Sequence, residues 1–159
     1  MGGGSIKVLT RPPAPQPNAV IGPEITTTSV KRLPVFGSAQ AGPGGAFSWT
    51  NAPVDDVACP PALLSVPEAY AVYVVGDSME PRYFAGETVY VHPSKPARRG
   101  DFVVLQVRTA SDAVVGYIKR LVRTSEVSIT VEQLNPEKQM TFELADVVAV
   151  HRIVSSSTD

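Results

Sequence analysis

Ser78 and Lys119 are the residues of this chain whose types and surroundings could do chemistry. Ser78 stands in Val74-Val75-Gly76-Asp77-Ser78-Met79-Glu80-Pro81, just past a glycine turn that closes an apolar run. Lys119 stands inside a second apolar run, Val114-Val115-Gly116-Tyr117-Ile118-Lys119-Arg120-Leu121-Val122. A serine hydroxyl is a weak nucleophile until a base takes its proton. A lysine can be that base only when neutral, and burial among apolar groups lowers its pKa by disfavouring the ammonium. The chemistry in view is a Ser–Lys hydrolase, which needs no histidine. The two histidines, His92 and His151, stand in no triad signature.

The elements that must hold these groups read as β throughout. Ala71–Val75, Glu87–Val91, Asp101–Val107, Val114–Val122, Val127–Glu132, Met140–Glu143 and Val147–Val154 are short runs rich in Val, Ile, Tyr and Phe. Gly86, Pro93 with Pro96, Gly100, Ser111-Asp112 and Asn135-Pro136 punctuate them. Short strands so punctuated indicate an all-β sandwich or barrel-like sheet, and the lack of helical periods argues against a parallel α/β fold. Met79–Phe84 is expected to form a single turn after the serine. Strand parity puts Tyr117, Lys119 and Leu121 on one face and Ile118, Arg120 and Val122 on the other. Lys119 thus lies between two large apolar neighbours, and Arg120 and Arg123 are expected to disfavour its protonation further. The alternative is a lysine snorkelling from a sheet edge.

The rest of the chain bounds the reading. Its 159 residues can bury a sizeable core, and a net charge of −1 gives no reason for general nucleic-acid affinity. The basic pairs Lys31-Arg32, Arg98-Arg99 and Lys119-Arg120 read mostly as solvated faces. A single cysteine, Cys59, excludes an intramolecular disulfide, fits a reducing compartment, and has no partner at metal-ligand spacing. It reads as packing. No signal-peptide core and no apolar run long enough to span a membrane is visible. Residues 1–30 carry Pro12, Pro13, Pro15, Pro17 and Pro23 and no amphipathic period, so they read as an extended linker. Met1-Gly2-Gly3-Gly4-Ser5 resembles an added cloning tail. Between Arg32 and Asp55 there is no charged side chain, and Gly42-Pro43-Gly44-Gly45 lies in the middle. A segment that must enter a narrow cleft needs that composition, because charges would cost desolvation and bulk would block approach. A flexible turn would read the same way. Phe36, Phe47 and Trp49 flank it and read as local packing.

Four ordered blocks carry a resemblance. Gly76-Asp77-Ser78-Met79-Glu80-Pro81, Gly86-Glu87-Thr88-Val89-Tyr90-Val91, Arg99-Gly100-Asp101-Phe102-Val103-Val104 and Gly116-Tyr117-Ile118-Lys119-Arg120-Leu121 resemble the catalytic domain of the LexA family. That family includes the self-cleaving phage repressors of the lambda type and the mutagenesis protein UmuD. The resemblance spans roughly residues 33–154. It implies a compact LexA-like all-β fold of short, mostly antiparallel strands. It also implies Ser78 as nucleophile, Lys119 as base, the backbone N–H groups of Asp77 and Ser78 as oxyanion hole, and no metal or cofactor. Relatives that cut themselves do so at an Ala-Gly or Cys-Gly bond about this far before the serine, which makes Ala41-Gly42 the candidate scissile bond. The expected organisation is a Pro/Gly-rich linker or added tail at 1–32, a cleavage-site hinge at 33–70, a catalytic and dimerisation core at 71–154, and a tail at 155–159.

The same resemblance implies a cytoplasmic homodimer, autoproteolysis that switches off repression in the DNA-damage response, and a RecA-type filament as trigger. DNA would be reached only through an N-terminal domain absent from this chain. Three other readings stay open. One is a UmuD-like accessory subunit of a translesion polymerase. Another is a type I signal peptidase, which would need a membrane anchor. The last is a non-cleaving dimerisation or sensing module of the same fold.

Overall fold

A computed structural model describes residues 30–37 and 42–158. Ten strands make one sheet: β1 (Arg32–Phe36), β2 (Phe47–Ser48), β3 (Asp55–Ala58), β4 (Tyr70–Tyr73), β5 (Thr88–His92), β6 (Phe102–Arg108), β7 (Val114–Thr124), β8 (Ser128–Leu134), β9 (Glu137–Glu143) and β10 (Val147–Ser157). Their order is β3-β1-β4-β5-β10-β6-β7-β8-β9, with the short β2 laid against β7. Among the described residues only β1 and β4 pair in parallel; the other pairings are antiparallel. The all-β, mostly antiparallel expectation holds. No helix among the described residues is long and apolar enough to cross a membrane.

Strand periodicity divides the core. β6 is buried along nearly its whole length, so its alternate residues feed opposite faces. Val104 joins a cluster with Phe47, Val72, Met79, Tyr83, Val89 and Ile118. Val103, Leu105 and Val107 join Leu121, Ile129 and Val131 on the other face. A smaller cluster of Leu33, Cys59, Leu63, Val66 and Ala69 closes the β1–β3 end. Cys59 is thus a packed, free thiol, as its lack of partners implied.

The seven runs read as strands are strands, and β10 continues past Val154 to Ser157. The sequence reading singled out none of β1, β2 and β3. Pro34 interrupts β1, β3 opens with Asp55-Asp56, and β2 is two residues long, so none shows an apolar alternation. They form because neighbours supply the pairing. Leu33 and Val35 of β1 are buried between β3 and β4. The stretch 33–70 therefore contributes strands to the same sheet as the stretch that follows it.

The segment between β1 and β2 is closed at its base. Gly37 ends β1 with its backbone against the Phe47 ring, where an added Cβ would lie 3.2 Å from Phe47 Cδ2. Phe47 in turn lies flat on Gly116 of β7, and its backbone pairs with that residue. Phe36 and Trp49, one on each side of the loop, stack with ring centroids 5.4 Å apart. Their packing role is the ordinary one.

Candidate active site

Ser78 sits in the connection between β4 and β5. Gly76 turns the chain at φ 72, a left-handed conformation that a side chain disfavours. A tight turn follows, with the N–H groups of Arg82 and Tyr83 donating to the Met79 carbonyl. The single turn expected at Met79–Phe84 is therefore present. Met79 is buried and fixes the turn to the core, whereas Pro81 is exposed and does not pack.

The β8–β9 turn grips this loop from the other side. The N–H groups of Leu134 and Asn135 both donate to the Ser78 carbonyl, at 3.0 and 2.9 Å, and Asn135 Nδ2 donates to the Asp77 carbonyl at 3.1 Å. Backbone groups held by several donors cannot rotate freely, so the peptide planes around Ser78 are fixed before any substrate arrives.

Lys119 lies on β7 and is removed from solvent. It faces Val103 of β6 across the ladder. Its Nζ lies 3.2 Å from Ser78 Oγ and 3.4 Å from Gln133 Oε1. Burial lowers the amine from the ordinary lysine value to about 8, and the Lys138 ammonium on β9 pushes the same way. The amine is therefore available as a neutral base just above physiological pH. The expectation that Arg120 and Arg123 would supply the neighbouring positive charge is corrected: the ammonium that acts on Lys119 is that of Lys138. Arg120 points to the opposite face, as strand alternation demands, and pairs with Glu132 at 3.2 Å. The snorkelling alternative for Lys119 falls with its complete burial.

The histidines take no part. His151 bonds the Tyr70 hydroxyl at 2.7 Å, and His92 accepts from the Lys95 N–H in a turn. No cluster among the described residues could hold a metal ion.

The Gly-rich hinge enters the same cleft. Gly42, Gly44 and Gly45 line it together with Gly76, Asp77, Ser78, Gln133 and Asn135. Residues 43–45 form a 3-10 turn in which the Gly45 N–H donates to the Gly42 carbonyl and the Ala46 N–H to the Pro43 carbonyl. Gly45 is the residue that lies on the dyad. A Cβ there would overlap Ser78 Oγ and lie 3.2 Å from Lys119 Nζ. Of the expected scissile pair, Gly42 lines the cleft, and Ala41 lies outside the described residues. Sequence reasoning singled out Ser78 and Lys119 and missed Gln133, Asn135 and the closeness of Gly45. The Asn135-Pro136 turn signal was visible, but nothing along the chain tied it to the serine.

An all-β sheet that sets a buried amine beside a serine, with a glycine-rich turn of the same chain against both, is an arrangement able to do serine peptidase chemistry. The chain belongs to the Peptidase S24-like family, whose model matches residues 34–153. It is 42% identical over 146 residues to Repressor protein C of Rhizobium phage 16-3, an alignment covering 88% of this chain and 56% of that protein. The chain thus spans about half the length of the curated relative it matches.

Proposed function

We propose that this domain cuts its own Ala41-Gly42 bond with Ser78 and Lys119, and that the cut inactivates a transcriptional repressor. The observation that carries the reading is the Lys119 Nζ to Ser78 Oγ distance of 3.2 Å, with the amine buried. Ser78 Oγ attacks the Ala41 carbonyl carbon while Lys119 takes the hydroxyl proton. Lys119 then returns that proton to the Gly42 nitrogen as the peptide bond breaks, leaving an ester on Ser78. Water, deprotonated by the same amine, attacks the ester and frees the Ala41 carboxylate. The N–H groups of Asp77 and Ser78 receive the oxyanion, a role worth about 3 kcal/mol per donor to the transition state. The anchored Asp77 carbonyl supports it, because it shares a peptide plane with the Ser78 N–H.

Gly45 rests on Ser78, and on this reading the hinge shifts along the cleft to bring Ala41-Gly42 to the serine. That shift is the step a trigger would act on. We infer a RecA-type filament in the DNA-damage response as the trigger, and a cytoplasmic homodimer as the working form. DNA binding would belong to an upstream domain outside this chain. The name of the phage relative supports the repressor reading over a polymerase accessory subunit.

The test is intact-mass spectrometry of the purified chain after incubation at pH 7 and pH 10. A fragment pair for cleavage at Ala41-Gly42 is expected, faster at pH 10, because only the neutral amine acts and its pKa is about 8. Ser78→Ala and Lys119→Ala should stay whole and folded. A rate flat across that pH range, or cutting by either variant, would overturn the assignment. A chain that stays whole until activated filament is added would identify the trigger.

A further inference from the structure

We infer that Gln133 is a positioning residue for Lys119: its side-chain carbonyl takes one N–H of the neutral amine and leaves the nitrogen lone pair aimed at Ser78. The inference rests on the Ser78–Lys119 reading and adds to it a group outside the four motif blocks. Gln133 is 3% exposed, a buried polar side chain on the same face of β8 as Ile129 and Val131. Such a group has to be hydrogen-bonded, and here each end of the amide has partners. Its Nε2 donates to the carbonyls of Asn135 and Pro136, at 3.2 and 3.0 Å. Those two acceptors settle which way the amide is turned, because the reverse assignment would set oxygen against two carbonyl oxygens. Oε1 is therefore the atom directed at Lys119, at 3.4 Å.

The strand register makes the contact. The backbone pairing of β7 with β8 ends at Arg120 and Glu132, and the next residue on each strand, Lys119 and Gln133, meet through their side chains. Gln133 pairs in turn with Lys138 of β9, which brings the Lys138 charge near the amine. The groups facing Lys119 are then Ser78, the Gly45 backbone, Gln133, the Lys138 ammonium, Val103 of β6 and the Tyr117 ring at 5.9 Å.

Glutamine is the residue type this position needs. A neutral amine has two donors and one lone pair, and only the lone pair can accept the serine proton. An apolar side chain would leave the amine free to rotate and one donor unmet. A carboxylate would satisfy the donor but favour the ammonium and remove the base. The amide carbonyl orients the amine without charging it. A purely structural role, closing the β8–β9 turn through Nε2, would leave the protonation of Lys119 untouched.

Two measurements separate these roles. The first is the titration of Lys119 followed by NMR of 13Cε-labelled lysine, in the wild-type chain, Gln133→Glu and Gln133→Met. The second is the pH–rate profile of self-cleavage in the same proteins, each checked for folding by circular dichroism. Gln133→Glu is expected to raise the Lys119 midpoint by about one pH unit or more, and the rate profile by the same amount, with the rate returning to within about threefold of wild type at high pH. Gln133→Met is expected to lower the high-pH rate about tenfold or more without raising the midpoint. A Lys119 titration identical in all three folded proteins would overturn the pairing, whatever the cleavage rates. A shifted titration in a wild-type chain that never cuts would keep the pairing and overturn the peptidase reading.

Discussion

A lysine buried for its chemistry is a liability for the fold, and Lys119 shows the sign of that conflict. Its pKa is about 8 in the folded chain, against the ordinary 10.5. Between those values the unfolded chain carries a proton that the folded chain lacks, so raising the pH through this window stabilises the fold. Below it both states are protonated and the buried ammonium is a cost. Lys119→Met keeps length and removes charge, so it should be more stable than wild type at pH 7. Its advantage should shrink by up to about 3 kcal/mol between pH 8 and 10.5, read from urea melts at each pH. The buried Tyr70 and Tyr83 titrate upward in both proteins and cancel in the difference. Parallel pH curves for the two proteins would show that Lys119 does not titrate in this window. At this scale the sequence was most informative about motif residues. Ser78 and Lys119 stand in blocks with a chemical rationale. Gln133 sits in Val131-Glu132-Gln133-Leu134, where a polar residue beside a glutamate reads as an outer face. Its burial depends on which strand lies opposite, and that is a property of register.

At the scale of elements, two glycines decide how the hinge meets the sheet. Gly116 has no side chain because the Phe47 ring occupies the place of its Cβ, closer than any real contact allows. Gly116→Val should therefore dislodge Phe47 and β2, at about 1–3 kcal/mol, seen as a lower melting temperature with Ser78 and Lys119 still in place. Gly45 holds φ +79 with its Cα against Ser78. Gly45→Ala combines backbone strain of about 1 kcal/mol with an overlap on the nucleophile, so the turn should leave the cleft. The expected reading is faster labelling of Ser78 by a small fluorophosphonate than in the wild-type chain. Slower or equal labelling would mean that the turn does not shield the serine. The strands that could be read beforehand are those with alternation or unbroken Val/Ile runs. β1, β2 and β3 could not, since their stability comes from partners far along the chain. The composition of the hinge did announce a segment able to enter a cleft. That Gly45 is the glycine against the serine is a matter of tertiary packing, which no local pattern encodes.

At the scale of the whole molecule, the strands that flank the glycine-rich loop and the strand that carries Lys119 belong to one sheet. The loop is tied at both ends, to β4 through β1 and to β7 through β2, and its base is closed by the Gly37–Phe47 contact. On the proposed reading, delivery of the bond to Ser78 would be intramolecular, with no translational entropy left to lose. The cleavage rate constant should not change over about a hundredfold dilution, measured by mass spectrometry over time. A rate that falls with dilution would mean that one molecule cuts another. The surface charges fit the modest net charge: Arg32 pairs with Asp56, Arg108 with Asp112 and Arg152 with Asp101.

The position of β1 sets what a cut would achieve. Ala41-Gly42 follows β1 in the chain, yet β1 is inserted between β3 and β4, both of which come after that bond. Hydrolysis there would not by itself release the upstream piece. It would leave a split protein, nicked but still complemented, with Leu33 and Val35 plugged into the sheet. The covalent event would then start a clock, and the dissociation rate of one five-residue strand would determine when it runs out.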